Sequence, residues 1–227
     1  MFTDSQTGPV LVLAPHPDDE TLGAGGTLLR AARSGRPVHW LIATKMRAED
    51  GWPADKMQKR EAEIKAVAEA YGFAGVHILP FPAARLDTLP TGDLVAAIGK
   101  IVREVEPEII LLPHRGDAHS DHAAVHDAGA ACAKWFRYPS VRWTLVYETL
   151  SETDAAVQDS EQFHPDVFVD IAEHLEEKLR ITSLFGDEIQ PFPFPRSLEA
   201  LRALAQTRGV ACGTTAAECF MLLRARL

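Results

Sequence analysis

The sequence predicts an α/β fold in three layers, with a mostly parallel sheet between helices on both of its faces. Short apolar runs of strand length alternate with longer segments of helical length in the first half of the chain. Runs such as VLVLA at 10–14 and IILL at 109–112 are apolar throughout, which is typical of parallel strands buried on both faces. Clusters of polar residues follow directly after these two runs, where open α/β sheets bind their ligands.

In the first half of the chain the pattern predicts strands that alternate with helices. The strands are expected at Val10–Ala14, Val38–Thr44, 76–79 and 109–112, and the helices at 21–33, 57–71 and 93–106. Gly72 is expected to end the second helix, because glycine readily adopts the left-handed conformation found at helix ends. This order corresponds to βαβ units, which pair their strands in parallel.

The second half of the chain has a less regular pattern. Strands are expected at Trp143–Tyr147 and 167–169, and helices at 119–135, 171–186, 197–208 and 215–224. The segment 148–161 has five acids and no Lys or Arg, which predicts a solvated loop of the kind that also serves as an active-site lid. The segment 190–195 alternates Pro with Phe192 and Phe194 and predicts an extended connector. Without an internal repeat or a domain boundary, residues 1–227 are expected to form a single domain.

Composition excludes several classes of function. A chain of 227 residues with 46% hydrophobic and 24% charged residues is typical of one soluble α/β domain. The formal charge of −9 argues against nucleic acid as the principal partner. No apolar stretch approaches the about 18 residues of a membrane span, and residues 1–8 lack the features of a signal peptide, so we expect a cytoplasmic protein. Three cysteines without a CxxC pair predict buried packing and not metal ligation.

The segment PHPDDE at 15–20, directly after the first strand, is the most informative part of the chain. It places His16 and the carboxylates of Asp18, Asp19 and Glu20 at the carboxyl end of a strand. One acid would be explained by a helix cap. A histidine together with three acids predicts chemistry at this point.

A second segment, HRGDAHSDH at 114–122, follows the strand at 109–112, so the two segments should meet at one edge of the sheet. One His and one Asp from the first segment and one His from the second supply the three ligands that a catalytic zinc requires. His119 and His122 lie three residues apart at the start of a helix, on one face. The pair His122 and His126 is an alternative, ranked lower because His126 lies a turn further from the strand end.

The two segments together, PHPDDE at 15–20 and HSDH at 119–122, resemble the zinc-dependent N-deacetylases of the PIG-L and LmbE type. Those enzymes remove acetyl groups from amino sugars such as N-acetylglucosaminyl conjugates. Shorter similarities lie at Thr44, REAE at 60–63, RG at 208–209 and AECF at 217–220. The resemblance implies a Rossmann-like, LmbE-like fold and a single deacetylase domain over residues 1–227. It also favours a homo-oligomer, for which Phe192 and Phe194 are candidate contacts.

By this resemblance His16, Asp19 and His122 would bind the metal, and Asp18 would be the general base. Adjacent carboxylates point in different directions, so one can bind metal while the other faces the attacking water. A divalent cation lowers the pKa of bound water from about 15.7 toward about 7. Zinc is the expected metal, and iron(II) also suits two His and one Asp.

The same resemblance implies that His119 stabilises the oxyanion while Asp121 orients it and holds it protonated. Loss of such a contact costs about 100-fold or more in rate. Arg60 would bind substrate, with Glu63 orienting it. Two positions depart from the family pattern. Pro15 stands where the family usually has Ala. Residues 83–84 are Ala-Ala where many members have Asp-Gly, so a contact with a sugar hydroxyl is not expected at 83–84.

The expected substrate is therefore a small N-acetylated sugar conjugate, and the alternative is a metal-dependent amidase that acts on another conjugate, for example a thiol conjugate. A phosphoesterase is disfavoured because the glycines at 23–26 lie inside the first helix, where close packing explains them. A nucleotide-binding module is disfavoured because no G-x-G-x-x-G turn follows a strand.

Overall fold

The computed structural model describes residues 7–157 and 162–227. Its strands are β1 Val10–Ala14, β2 Val38–Thr44, β3 Gly75–Phe81, β4 Ile109–Pro113, β5 Trp143–Tyr147, β6 Val167–Asp170 and β7 Ala217–Ala225. Its helices are α1 Asp19–Arg33, α2 Ala54–Tyr71, α3 Thr91–Val105, α4 Ser120–Ala131, α5 Leu175–Thr182 and α6 Leu198–Cys212. Short 3-10 helices occupy Ala48–Asp50, Leu86–Thr88 and Ser183–Glu188.

In the described part of the chain the strands form one seven-stranded sheet in the order β3-β2-β1-β4-β5-β7-β6. The strands from β3 to β5 in this order are parallel, while β7 runs antiparallel to both β5 and β6. Helices α1, α2, α5 and α6 cover one face, and α3 and α4 cover the other. The predicted three-layer α/β/α fold is confirmed.

The central strand β1 shows why its run of apolar residues has no polar interruption. Val10, Val12 and Ala14 face one hydrophobic core, and Leu11 and Leu13 face the other. Alternate residues of a strand point to opposite faces, and here helices cover both. All five residues of the strand are fully buried.

The segment 215–224 was expected to be a helix, and this prediction is wrong, because the chain there forms β7. Ala, Glu, Leu and Met are good helix formers, which explains the expectation. In the structure β7 lies between two other strands, where Phe220 pairs with Tyr147 of β5 and with Val167 of β6. Pairing on both sides satisfies the backbone of β7, and tertiary contacts override its helical propensity.

Other differences from prediction are smaller. The helix expected at 171–186 is α5 followed by the short 3-10 helix, and the helix expected at 119–135 ends at Ala131. Residues 158–161 of the expected acidic loop lie outside the described residues. Cys132 and Cys219 are buried as expected, and Cys212 is exposed.

The glycines of α1 are explained by packing, as expected. A Cβ atom on Gly23 would lie 2.3 Å from the ring of Tyr147 in β5. A Cβ atom on Gly26 would lie 2.7 Å from the side chain of Ile171. The close approach of α1 to its neighbours therefore requires glycine at both positions.

The sheet places two chain segments at one crevice. β1 pairs with both β2 and β4, so the strand order changes direction between β1 and β4. In open α/β sheets the crevice at the carboxyl ends of such strands is where ligands bind. The segments 15–20 and 114–122 follow β1 and β4 and meet at this edge. None of the helices in residues 7–157 and 162–227 is long and apolar enough to cross a membrane.

Candidate metal centre and active site

A strained turn separates the two adjacent carboxylates after β1. Asp18 precedes α1 with a φ of 138°, which is rare for a residue other than glycine and costs energy. Glu20, which is buried, holds this turn because its Oε2 accepts a hydrogen bond of 3.1 Å from the Asp18 amide. Asp18 consequently lies in the wall of a cavity, while the neighbouring Asp19 is directed toward His16 and His122.

His16, Asp19 and His122 form the candidate metal cluster. Each of the three residues offers one ligand atom, and these atoms lie within 4.8 Å of one another. Oδ2 of Asp19 is 3.4 Å from Nδ1 of His16 and 3.4 Å from Nε2 of His122. The structure therefore brings together the three residues that the family resemblance implies as ligands.

A carboxylate contacts the outer nitrogen of each histidine in this cluster. Nε2 of His16 lies 2.9 Å from Oδ2 of Asp121, and Nδ1 of His122 lies 2.7 Å from Oδ2 of Asp117. Such carboxylate–histidine pairs fix the ring and leave the other nitrogen for a metal. Asp117 lies in the segment 114–122 but was given no role from the sequence, because spacing alone does not reveal which acid faces His122.

The cluster has the properties expected of a cation site. Oδ1 of Asp19 and Nε2 of His122 are buried without a hydrogen-bond partner, which is costly unless a ligand satisfies them. Burial disfavours a charged His16 ring, but Asp121 and Asp19 outweigh burial and raise the pKa of His16 to about 9. Likewise, Asp19 and Asp117 outweigh burial and raise the pKa of His122 to about 10. The carboxylates thus stabilise positive charge here, so the residues fit a divalent cation.

Two alternative ligand sets are less favourable. His16, His119 and Asp121 also bring ligand atoms together. However, Asp121 already accepts backbone hydrogen bonds from Ala84 at 2.7 Å and Leu86 at 2.9 Å, in addition to its contact with His16. The alternative ligand His126 instead has its Nδ1 2.9 Å from the backbone oxygen of Pro113.

Arg196 contacts Asp18, a feature that sequence analysis missed. Nη1 of Arg196 lies 2.8 Å from Oδ2 of Asp18, although the two residues are 178 positions apart. The same guanidinium donates to Ser151 at 2.7 Å and to Glu152 at 3.2 Å. Burial and the charge of Asp19 raise the pKa of Asp18 to about 7, and Arg196 opposes this shift. No local signal in the sequence marks this arginine, because its partner Asp18 is distant along the chain.

His119 lies beside His16, with their ring centroids 4.6 Å apart, but its expected partnership with Asp121 differs in the structure. The carboxylate of Asp121 is bound to His16, and the backbone amide of Asp121 donates to Nδ1 of His119 at 3.1 Å. His119 is therefore the N-cap of α4. Burial and the nearby His16 lower the pKa of His119. The expectation that Asp121 holds His119 protonated is thus corrected: a neutral ring that accepts at Nδ1 carries its proton on Nε2.

Arg60 lies in the wall of the same cavity. Its Nη1 donates to the backbone oxygen of Pro17 at 3.3 Å and lies 3.4 Å from Oε2 of Glu63, and its Nη2 pairs with Glu188. The cavity has a volume of about 260 Å³ and opens at the carboxyl ends of β1 and β2. Asp18, His119 and Arg60 thus surround one space large enough for part of a sugar.

The sequence of this chain is similar to a known protein family and to known deacetylases. Residues 11–133 match the PIG-L family, which is described as GlcNAc-PI de-N-acetylase. A diacetylchitobiose deacetylase from Thermococcus kodakarensis is 30% identical over 179 residues, which cover 75% of this chain and 66% of that protein. A 1D-myo-inositol 2-acetamido-2-deoxy-alpha-D-glucopyranoside deacetylase from Kineococcus radiotolerans is 29% identical over 154 residues, which cover 52% of this chain and 43% of that protein. The chain thus spans less than two thirds of the length of these relatives.

The fold is shared over almost the whole chain. The crystal structure of the conserved protein TT1542 from Thermus thermophilus has a TM-score of 0.77 and 26% sequence identity to this chain, with 96% of each chain covered. The family match extends over more than half of the chain and includes the segments that carry His16, Asp19 and His122. The chain therefore belongs to the PIG-L family.

Proposed function

We propose that this protein is a metal-dependent N-deacetylase that hydrolyses the acetamide of an N-acetylglucosamine-type conjugate. The observation that carries the proposal is the candidate metal cluster, with its two partnerless buried ligand atoms, beside Asp18 and His119. The names of the relatives support an amino-sugar substrate. We further propose that His16, Asp19 and His122 bind zinc, with iron(II) as the alternative.

When bound, the cation would polarise the acetamide carbonyl and make water a stronger nucleophile near neutral pH. Asp18 faces the cavity from the turn beside the metal ligand Asp19. It accepts a proton from the attacking water as the water oxygen bonds to the acetyl carbon. It then delivers that proton to the amine nitrogen as the carbon–nitrogen bond breaks, so that acetate and a free amino sugar are released.

His119 and Arg60 have separate roles in this proposal. The Nε2–H of neutral His119 donates to the carbonyl oxygen as negative charge develops there, because Nδ1 is already occupied by the Asp121 amide. Asp121 acts through His16, whose ring it orients. Arg60, held by Glu63 and Glu188, is positioned to bind a sugar hydroxyl or carbonyl of the substrate.

The proposal is tested by acetate release from a panel of N-acetylglucosaminyl conjugates. The protein is stripped with a chelator, reloaded with zinc or iron(II), and assayed beside the Asp18→Asn variant. We expect acetate from at least one conjugate, dependent on the metal and lost in the variant. Failure of every metal-loaded sample to release acetate would overturn the proposed function.

We also propose that residues 1–227 act as a single domain and that the chain forms homo-oligomers. Phe192 is 66% exposed in the connector before α6, where a second copy would cover it. Light scattering at micromolar concentration is expected to give a dimer or a larger species. A strict monomer would contradict this.

A further inference from the structure

Part of the wall of the cavity is apolar. Met46, Trp52, Met57, Ile64 and Ile78 line the cavity together with the polar Asp18, Arg60 and Arg196 and with the charged Lys45 and Glu61. Trp52 is 40% exposed and Ile78 is 41% exposed. Large apolar side chains exposed together beside a polar centre are typical of a ligand-binding surface.

The loop after β3 extends this apolar wall. Ala83 and Ala84 line the cavity there with methyl groups, so the loop offers no side-chain hydrogen bond to a sugar. Ala84 has a φ of 58°, in the left-handed region that favours glycine, and its amide donates to Asp121. The loop is thus held in a fixed conformation that presents two small apolar side chains to the cavity.

A groove continues from the cavity between α2 and the edge strand β3. It has a volume of about 480 Å³ and shares Glu61, Ile64 and Ile78 with the cavity wall. It is also lined by Phe73, Val76 and Ala68, and by the charged Lys65 and Glu69 of α2. We call this the apolar groove. Because β3 is at the edge of the sheet, no further strand covers it in the part of the chain that the structure describes.

A second groove beside the cavity is lined by Lys45, Arg47 and Glu61, and it is less suited to a substrate group. Its cations already pair with nearby acids, because Lys45 lies 3.6 Å from Glu61 and Arg47 lies 2.6 Å from Asp50. A polar group bound there would have to compete with these ion pairs. The apolar groove also has charged residues along it, Glu61 and the pair of Lys65 with Glu69 at 3.9 Å. Its other lining residues are apolar or glycine, so it favours an apolar group.

We propose that the substrate is an amino-sugar conjugate whose group beyond the sugar is an alkyl or aryl chain, and that this chain lies in the apolar groove. This inference rests on the proposed function, because it assumes that the acetamide faces Asp18. The amino sugar then fills the cavity, and the chain leaves it past Ile64 and Ile78. Burial of the chain against these residues supplies the binding energy.

The test compares methyl and octyl glycosides of N-acetylglucosamine, as both anomers, with the zinc-loaded protein below the micelle-forming concentration. Each buried methylene group is worth about fourfold in affinity. If the apolar groove buries only three of the added methylenes, the octyl glycoside should have a kcat/KM about 60-fold higher, mainly through a lower KM.

The Ile78→Asp variant places a charge in the apolar groove, and Trp135→Ser is its control, because Trp135 is 59% exposed and lines neither cavity nor groove. The octyl-to-methyl ratio should fall at least tenfold in Ile78→Asp and stay unchanged in Trp135→Ser. Light scattering of both variants is measured in parallel.

The outcomes separate this inference from the proposed function. Equal kcat/KM values for the two glycosides would overturn the apolar-chain inference while acetate release upheld the deacetylase. Absence of acetate from these glycosides and from the wider conjugate panel would overturn the deacetylase itself. A smaller oligomer in Ile78→Asp with an unchanged ratio would show that the apolar groove is a contact between copies of the chain, and would also overturn the inference.

Discussion

Two buried polar clusters lie along helix α1, and they differ in how their charges are balanced. At the middle of α1, Glu218 accepts hydrogen bonds from the amides of Gly26 at 2.8 Å and Thr27 at 2.7 Å. Nζ of Lys178 donates to Glu218 at 2.7 Å and to the backbone oxygen of Leu22 at 2.8 Å. We call this pair the Lys178–Glu218 clamp, and its charges balance.

At the amino-terminal end of α1, Oδ1 of Asp19 and Nε2 of His122 in the candidate metal cluster are buried without a hydrogen-bond partner. The carboxylates of Asp18, Asp117 and Asp121 lie beside the cluster, and the Arg196 guanidinium pairs with Asp18. A buried cluster with every polar atom satisfied stabilises the fold without any ligand. A buried cluster with unsatisfied atoms and excess negative charge is instead suited to a cation. This contrast supports the proposal that a cation binds at the candidate metal cluster and not at the Lys178–Glu218 clamp.

The largest expected effect comes from removing a proposed ligand in the candidate metal cluster. His122→Ala should lose nearly all bound metal and all activity, because His122 is one of the three proposed protein ligands. His126→Ala is the matched control and should retain near-stoichiometric metal, since its ring contacts the Pro113 backbone. Metal content is measured by atomic emission after dialysis. Equal loss in both variants would mean that the wrong face of α4 has been assigned to the metal.

The adjacent carboxylates provide a second test. Asp18→Asn should retain near wild-type metal while kcat falls by about 100-fold to 10,000-fold, because the basic oxygen is removed. Asp19→Asn should instead weaken metal binding and recover partly in excess zinc, since an amide oxygen is a poorer ligand. Metal titration and steady-state kinetics distinguish the two. If Asp18→Asn lost its metal while Asp19→Asn retained it, Asp18 would be the metal ligand and Asp19 the general base.

Disruption of the clamp should affect stability and not metal binding. Lys178→Met leaves Glu218 buried with an uncompensated charge, so the free energy of unfolding should fall by about 3 to 5 kcal/mol. Lys56→Met, which removes an exposed pair with Asp187, should change it by less than about 1 kcal/mol. Urea denaturation measures both variants. If Lys178→Met lowered metal affinity in the folded protein, the clamp and the metal cluster would not be independent.

The smallest expected effect comes from Asp117, whose carboxylate contacts the proposed metal ligand His122. Asp117→Asn keeps the shape of the side chain but removes the charge facing Nδ1 of His122, so metal affinity should fall by about 10-fold to 100-fold. Asp127→Asn, which removes an exposed pair with Arg115, serves as control. Competition with a chelator gives the affinities. An unchanged affinity in Asp117→Asn would remove the carboxylate–histidine argument for His122.

Much of the fold and of the candidate metal cluster could be predicted from the sequence, because both depend on patterns of residues close together in the chain. The apolar runs specified β1, β2 and β4, and the polar residues directly after β1 and β4 had to meet at one edge of a parallel sheet. Glycine spacing within α1 indicated close packing. These features depend on residues that are near one another in the chain.

The remaining features depend on contacts between distant residues. β7 has the composition of a helix and became a strand because β5 and β6 offered it partners on both sides. Arg196 reaches Asp18 across 178 residues, so no local pattern could reveal it. The carboxylate of Asp121 contacts His16, and only the backbone amide of Asp121 donates to His119, because the fold, and not the spacing of HSDH, sets the direction of each side chain.

The sequence by itself thus determined the order of the parallel units along the chain and the residue types at the candidate metal cluster, since both follow from short-range patterns. Only the tertiary structure decided which acid contacts which histidine, that Arg196 lines the same cavity as Asp18, and that the apolar groove shares residues with this cavity. The physical reason is that hydrogen bonding and desolvation depend on distances and burial in space. Those quantities exist only once the helices have packed against the sheet.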